Sequence, residues 1–475
     1  MLGVWTTTAV REAEAQVLAA TAPGALMRRA AHAVALHAAG LLDRRCGGVS
    51  GRRVVLLVGA GDNGGDALWA GAYLRKRGVG VTAVLLAPDR AHAEGLAALK
   101  RAGGRVGTPE DVDFADLVID GIVGLSASGP LRPDAAAVVA RVRAPVVAVD
   151  LPSGVDPDTG AVTGPAVTAD VTVTFGGRKP VHFLAGGRCG EVHLVDLGLD
   201  LPEPRFSVLS AEDVADAWPV PAAGDDKYTQ GVVGVAAGSS TYPGAAVLSV
   251  GAAVLSTSGL TRYAGSAADE VRRRWPEVIA TGSLGDAGRV QAWVAGPGMG
   301  TGKAARDVLG DVLGAGVPVC ADADAITLLA ANPQLWDAKD PDAPVLITPH
   351  DREFARIAEP HGIELGTDRV AAALQLAAEL SVTVLLKGHV TVIADPTGAV
   401  LVNAARSHWL ATAGSGDVLS GMIGALLAAG LEPLLAAACA AFVHVRAGEL
   451  AARGAPAPAS AIVSALPDAI RSVLS

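Results

Sequence analysis

The chain has 475 residues with 38 Lys and Arg against 48 Asp and Glu, a net charge of −10. That length calls for about two to four domains, and a negative balance without a basic stripe argues against a nucleic-acid binder. Hydrophobic residues make up 51% but aromatics only 4%, the balance expected of α/β proteins whose helices pack through alanine. The start, MLGVWTTTAVREAEAQ, lacks a basic segment followed by an apolar core, so no signal peptide is read there and a cytoplasmic location is expected. Cys46, Cys189, Cys320 and Cys439 form no CxxC pair, which indicates neither zinc nor a disulfide framework and suits a reducing compartment.

In chain order, small and apolar residues at helical spacing predict a helical start over Ala9–Leu42. A strand (Arg53–Val58), a glycine turn (Gly59–Asp66), a helix (Ala67–Arg77) and a second strand (Val81–Leu86) then make a βαβ unit. The pattern recurs in Leu117–Ile119, closed by Asp120, and in Val146–Val149, closed by Asp150. Loops after parallel strands gather at one crevice, so these three stretches should converge.

From Leu197 to Tyr228 the sequence turns rich in Pro and Asp, which sets a domain boundary near residue 207, giving domains 1–207 and 208–475. A second α/β series follows: strand Val232–Ala236, helix Ala245–Ser256, strand Ala292–Ala295 before Gly-Pro-Gly-Met-Gly, and Val317–Cys320 before Asp322-Ala323-Asp324. Val345–Ile347 precedes Thr348-Pro349-His350, a hairpin is expected around Lys387–Val402, and Thr412–Asp417 opens a helix over Val418–Ala429. The apolar stretch Val418–Val445 is interrupted by Glu432, Pro433 and His444, so it reads as buried helices rather than a membrane span.

Gly59, Gly61 and Gly64 fit the GxGxxG dinucleotide fingerprint by spacing. Asp62 and Asp66, however, place two carboxylates where a pyrophosphate would sit, and no acidic residue closes the second strand. Oxygen ligands around a glycine turn suit a cation or a polar ligand better. Asn63, Asp120 and Ser153, on three converging loops, suit a monovalent cation, although each alone is equally a turn-former or cap. At the other end of the chain, Gly414-Ser415-Gly416-Asp417 at a helix start makes an anion hole, because first-turn amides lack partners and the helix dipole is positive there. A carboxylate beside a phosphate site repels a resting anion. Asp417 is therefore read as a general base toward a hydroxyl that meets a phosphoryl group, or else as an ordinary N-terminal cap.

The segments GAGDNGGDALWAGAYL, VIDGIVGLSASGPLR and VVAVDLPSGVDPDTG together resemble the NAD(P)HX epimerase family. The resemblance implies a Rossmann-like three-layer fold that binds hydrated NAD(P)H through Asp62, Asn63, Gly64, Gly65 and Asp66, through Gly124, Leu125, Ser126, Ala127, Ser128, Gly129 and Pro130, and through Asp150. It also implies potassium at Asn63, Asp120 and Ser153. The family pattern has Asn and Gly where Asp62 and Ala67 stand. Epimerisation needs an acid and a base, and Asp150 and Lys179 are the candidates.

YPGAA, GPGMG, DADA, TPH, LKGHVT and TAGSGD resemble the ribokinase-like fold and, within it, the ADP/ATP-dependent NAD(P)H-hydrate dehydratases, over about residues 225–470. The resemblance implies that Ala245, Gly298 or Gly300, His350 and Asp417 contact the hydrated dinucleotide, and that Lys387, Gly388, His389, Val390, Thr391 and Gly416 hold ADP or ATP, with Mg2+ alongside. Taken alone, His350 reads as a helix cap or core histidine and Lys387 as a solvated lysine. The expected function is thus cofactor repair, with NADHX and NADPHX as small-molecule partners and no membrane or nucleic-acid partner. Its alanine-rich helices suit packing into a homo-oligomer. The rival reading is a small-molecule kinase carrying a non-catalytic N-terminal binding module.

Overall fold

The run Arg53–Val58 is buried at every position after its first, as a central parallel strand covered on both faces must be. In the computed structural model, which describes residues 1–125, 129–404 and 409–475, it lies within a sheet ordered Arg105–Val106, Gly80–Leu85, Arg53–Val58, Leu117–Gly121, Val146–Val149, Val171–Phe175 and Glu191–Val195. Every pairing is parallel. The chain builds outward from Arg53–Val58 in one direction and then restarts beside it with Leu117–Gly121, so the topological switch and its crevice lie between these two strands. Gly59 permits this closeness. Its N–H donates to the Gly121 carbonyl at 2.9 Å, and a Cβ there would meet the Ile122 carbonyl oxygen at 1.8 Å.

This N-terminal unit, Gly3–Arg205, differs from expectation at its helices. The single helical stretch expected over Ala9–Leu42 is two helices, Thr7–Ala20 and Ala25–Cys46, because Pro23 and Gly24, the latter at φ 71°, break it. The helix expected from Ala67 begins at Asp62, so Asn63, Gly64, Gly65 and Asp66 form a buried first turn rather than a loop. Alanines of Ala25–Cys46 and small residues of this helix pack with the valines and leucines of the sheet in one core.

The second unit comprises Met1–Leu2 and Phe206–Ser475. The expected boundary at 207 falls inside the strand Phe206–Val208. From that strand the sheet continues through Val400–Ala404, Val390–Ala394, Thr383–Leu386, Val345–Ile347, Val319–Ala321, Ala292–Ala295, Val232–Ala236, Leu260–Ala264 and Ile279–Thr281. Pairing is parallel from Ile279–Thr281 to Thr383–Leu386 and antiparallel in the hairpin strands that follow. The strand expected at Val317–Cys320 starts two residues later, since Pro318 has no N–H for the ladder. Here the switch lies between Val232–Ala236 and Ala292–Ala295. The apolar helices Pro243–Ser256 and Ser415–Ala428 belong to the core of this unit. Pro433–Ala452 is long and apolar enough to cross a membrane, yet 56% of its apolar window is buried within the protein. Cys189, Cys320 and Cys439 are buried, Cys46 is partly exposed, and none is disulfide-bonded.

Candidate functional site

Two sites form, one at the carboxyl ends of each sheet. In the N-terminal unit, Asp150 follows the strand Val146–Val149 and takes a left-handed backbone, φ 68°, which is costly for a residue with a Cβ. Several bonds hold it there. Its N–H donates to the Val173 carbonyl at 2.8 Å, and its carbonyl meets His182 Nε2 at 2.9 Å. Asp150 Oδ1 accepts from Lys179 Nζ at 2.6 Å and Thr174 Oγ at 2.8 Å, while Lys179 Nζ also donates to Thr174 Oγ and the Phe175 carbonyl. Lys179 is 1% exposed, buried with its carboxylate partner rather than solvated on a loop. No donor among the described residues reaches Asp150 Oδ2, which leaves that oxygen open.

Acidic groups crowd this pair. Asp66 is buried with Oδ1 unpartnered, and burial, reinforced by Asp150 and Asp62, raises its pKa well above the carboxylate range. Burial likewise raises Glu14, on the helix Thr7–Ala20, with Lys179 opposing. Asp62 is exposed at the start of its helix. Carboxyl groups in which burial favours the proton, set beside the Asp150–Lys179 pair, suit proton exchange with a bound substrate.

Asn63, Asp120 and Ser153 come together nearby. Asp120 accepts from Ser153 Oγ at 2.7 Å, Ser153 N–H at 2.9 Å and Ile122 N–H at 3.2 Å, while Asn63 donates to the Val149 and Val123 carbonyls at 2.7 and 2.9 Å. Burial raises the Asp120 pKa, and among the described residues no basic side chain is bonded to it. Asn63 Oδ1 has no hydrogen-bond donor among the described residues and faces Gly124, where a Cβ would stand 2.9 Å away. A buried carboxylate without a counter-charge beside an open amide oxygen fits a cation. Gly124 and Leu125 are partly exposed and Gly129 and Pro130 exposed; Ser126, Ala127 and Ser128 lie outside the described residues.

In the second unit a cavity of about 800 Å³ is lined by Asp322, His350, Glu353, Lys387, Gly388, His389, Thr391, Gly416, Asp417 and His444 among others. Gly414, at φ 85°, turns the chain into the helix Ser415–Ala428 and so places Gly416 and Asp417 in its first turn. Burial, with the Asp322 carboxylate adding to the rise and Lys387 opposing it, brings the Asp417 pKa to about 7. Lys387 Nζ donates to Asp322 Oδ1 at 2.7 Å and lies 3.8 Å from Glu353 Oε2. Ser420 Oγ donates to Asp322 Oδ2 at 2.7 Å. Burial opposes the charge on Asp322, but Lys387 and these hydrogen bonds outweigh it and hold the carboxyl below its usual range.

His350 does cap a helix. Its Nδ1 accepts from the N–H groups of Arg352 and Glu353, and Glu353 returns a bond to the His350 N–H, a capping box with histidine in the serine position. With Nδ1 so engaged, Nε2 carries the proton and lies 3.5 Å from Glu353 Oε1, and His350 lines the cavity. Val390 is buried and stands outside the cavity wall. Ala245, Gly298 and Gly300 form an adjoining surface: a Cβ on Gly298 would lie 2.8 Å from the Ala245 methyl, and the Gly300 N–H is held by Asp324 at 2.8 Å.

Sequence reasoning passed over Glu14, His182, Ser420 and the cavity role of His444. Glu14 and Ser420 sit in ordinary helical text. His182 bonds only backbone atoms, which leave no signature in the sequence. His444 offers a weak signal as a polar residue amid the apolar run Leu434–Val445; its Nε2 lies 3.3 Å from Ser415 Oγ, and burial lowers its pKa to about 4.

Residues 233–468 match the family model described as NAD(P)H-hydrate dehydratase, and residues 23–181 match the model of the YjeF-related protein N-terminus. The chain is 58% identical over 461 residues to the bifunctional NAD(P)H-hydrate repair enzyme Nnr of Mycobacterium leprae (strain TN), covering 96% of this chain and 95% of that protein. It is 59% identical over 433 residues to its counterpart from Mycobacterium tuberculosis (strain ATCC 25618 / H37Rv), covering 90% of each. Among solved structures it is similar to the ADP/ATP-dependent NAD(P)H-hydrate dehydratase of Bacillus subtilis, co-crystallised with ATP and Mg2+. That match has a TM-score of 0.50 and 28% identity, and covers 56% of this chain and 99% of that one. A ribokinase-like superfamily protein from Enterococcus faecalis V583 matches with a TM-score of 0.51 at 25% identity, over 58% and 98% of the two chains.

Proposed function

The chain belongs to the family of bifunctional NAD(P)H-hydrate repair enzymes, and from that premise we propose how its residues divide the two reactions. The N-terminal unit interconverts the R and S hydrates of NADH and NADPH, and the second unit dehydrates the S form at the expense of ADP or ATP. The observation that carries the assignment is Asp417, a half-buried carboxyl with a pKa of about 7 in the first turn of a helix that opens on the 800 Å³ cavity.

Water leaves a saturated ring carbon poorly, so the hydroxyl is first phosphorylated. Asp417 accepts the hydroxyl proton, and the unpartnered first-turn amides around Gly416 stabilise charge on the transferring group. Phosphate then departs with the C–O electron pair. The ring nitrogen lone pair supplies the electrons, and loss of a proton from the neighbouring ring carbon restores the dihydropyridine. Lys387, with Gly388, His389 and Thr391, forms the nucleotide side of the cavity. His350 Nε2–H, Ala245, Gly298 and Gly300 form the dinucleotide side. Among the described residues no cluster of three acidic, His or Cys side chains stands ready for a metal, so Mg2+ enters with the nucleotide, whose phosphate charge it offsets.

In the N-terminal pocket, Asp150 Oδ2 takes the proton of the ring hydroxyl while Asp66, on which burial favours the proton, supplies one to the ring nitrogen. The carbon–nitrogen bond opens to an aldehyde, and reclosure on the opposite face gives the other epimer. Asp62, Gly64, Gly65 and the 124–130 loop flank the substrate. Asn63, Asp120 and Ser153 hold K+, whose charge offsets the buried Asp120 carboxylate. The direct test is recovery of absorbance at 340 nm from mixed NADHX epimers with ADP or ATP and Mg2+, with and without K+. Full recovery faster than spontaneous epimerisation supports both assignments, a stall after the S epimer is consumed refutes the epimerase, and no recovery refutes the dehydratase.

A further inference from the structure

Among the polar side chains of the Asp150 pocket to which the chemistry above gives no task is His182. His182 is 5% exposed and sits at the entry to a short helix just after Lys179. Its ring makes two hydrogen bonds, both to backbone. Nδ1 accepts from the Lys179 N–H at 3.0 Å, which leaves Nε2 as the protonated nitrogen, and Nε2 donates to the Asp150 carbonyl at 2.9 Å. One neutral imidazole thus fixes the backbones of the two residues whose side chains meet at 2.6 Å.

The Asp150 backbone needs such a tie. At φ 68° it sits in a region that side chains with a Cβ avoid, and the next residue closes a tight turn across it, Leu151 N–H to Val149 O at 2.8 Å. The Val173 carbonyl holds the Asp150 N–H, but among the described residues His182 is what bonds its C=O. Burial pushes the His182 pKa down to about 4, with Lys179 adding to the fall, so the ring stays neutral and keeps one donor and one acceptor in these fixed roles.

We propose that His182 is a positioning residue for epimerisation: by bonding the Asp150 carbonyl and the Lys179 N–H it holds the strained Asp150 turn so that Oδ1 stays on Lys179 and Oδ2 stays open to substrate. This rests on placing epimerisation in the Asp150 pocket. A displacement of the base by even about 1 Å is enough to cost roughly a hundredfold in rate.

The test uses the full chain without nucleotide, so that the dehydratase is silent, and follows conversion of purified R-NADHX into the S epimer by chromatography. His182→Leu removes both bonds at similar volume, and its kcat is expected to fall about ten- to a hundredfold with KM changed less than about threefold. His182→Gln, whose amide nitrogen stands where Nε2 stood, is expected to restore kcat to within about fivefold of the unsubstituted chain. Full kcat in His182→Leu overturns the proposal, and so does an equal loss in both variants or a loss appearing only in KM. If the unsubstituted chain fails to epimerise while still dehydrating S-NADHX, the pocket assignment itself falls, a result distinct from either variant outcome.

Discussion

Each unit buries a lysine against an aspartate at the carboxyl end of its sheet, and the two pairs are built for opposite purposes. Lys179 and Asp150 meet at 2.6 Å with side chains 1% and 4% exposed, and the ammonium spends its donors on Asp150, Thr174 and the Phe175 carbonyl. Lys387 and Asp322 meet at 2.7 Å, but the lysine is 19% exposed, borders the cavity and has a second carboxylate, Glu353, only at 3.8 Å. The first pair is a clamp whose lysine has nowhere to go. The second is a store from which an ammonium can turn toward a phosphate while Ser420 still holds Asp322. The aspartates exchange parts accordingly. In the N-terminal unit the paired aspartate is itself the proposed base. In the other the paired one supports a separate base, Asp417.

The largest effect that would sharpen this contrast is at that separate base. Asp417→Asn is expected to lower the dehydratase kcat about a thousandfold and leave R-to-S conversion intact, measured by the 340 nm and chromatographic assays; a loss of both activities would erase the division between units. Next comes the clamp. Lys179→Met strands a buried carboxylate and is expected to destabilise the N-terminal unit by about 3–5 kcal/mol in denaturant titrations. Lys387→Met, at a pair whose lysine borders the cavity and whose aspartate keeps its Ser420 bond, is expected to cost less stability and to show itself mainly as a higher KM for nucleotide. Equal stability losses would break the comparison.

A smaller effect concerns the cation. K+ is expected to raise the melting temperature of the unsubstituted chain relative to choline chloride by a few degrees, and Asp120→Asn is expected to abolish that difference. The smallest is a shift along the pH axis. Asp417 acts ionised and its pKa is raised to about 7, so the dehydratase rate should fall as pH drops through that value. The Asp322 charge contributes to the rise, and Asp322→Asn is expected to move the limb to lower pH; a limb that stays in place would remove Asp322 from the tuning of Asp417.

Strand text was the most legible part of the chain. Arg53–Val58, Val146–Val149, Val232–Ala236, Ala292–Ala295 and Val345–Ile347 appear with the expected bounds, because apolar runs between turn residues have few other uses in a parallel sheet. Helix starts were less legible. Asp62–Arg75 and Ser415–Ala428 each begin three to five residues early, since glycine-rich first turns look like loops until tertiary contacts enclose them. The glycine turns, Asp150, Lys179 and Asp417 could be picked from local patterns. The ties between them could not: Lys387 and Asp322 are 65 residues apart and Ser420 and Asp322 are 98 apart. A bond from a side chain to a distant backbone atom, as His182 makes, constrains only one of its two residues and is invisible to motif reading.

The cysteines carry a practical consequence for anyone wishing to attach a reporter. Burial lifts the thiols of Cys189 and Cys439 to about 12 and that of Cys320 well above its ordinary range, so alkylating reagents and peroxide meet almost no thiolate at any of them. Cys46, at the end of the helix Ala25–Cys46, is the one thiol that is partly exposed. A maleimide dye or spin label should therefore mark the unsubstituted protein at a single, known position, with no cysteine-free background to engineer first.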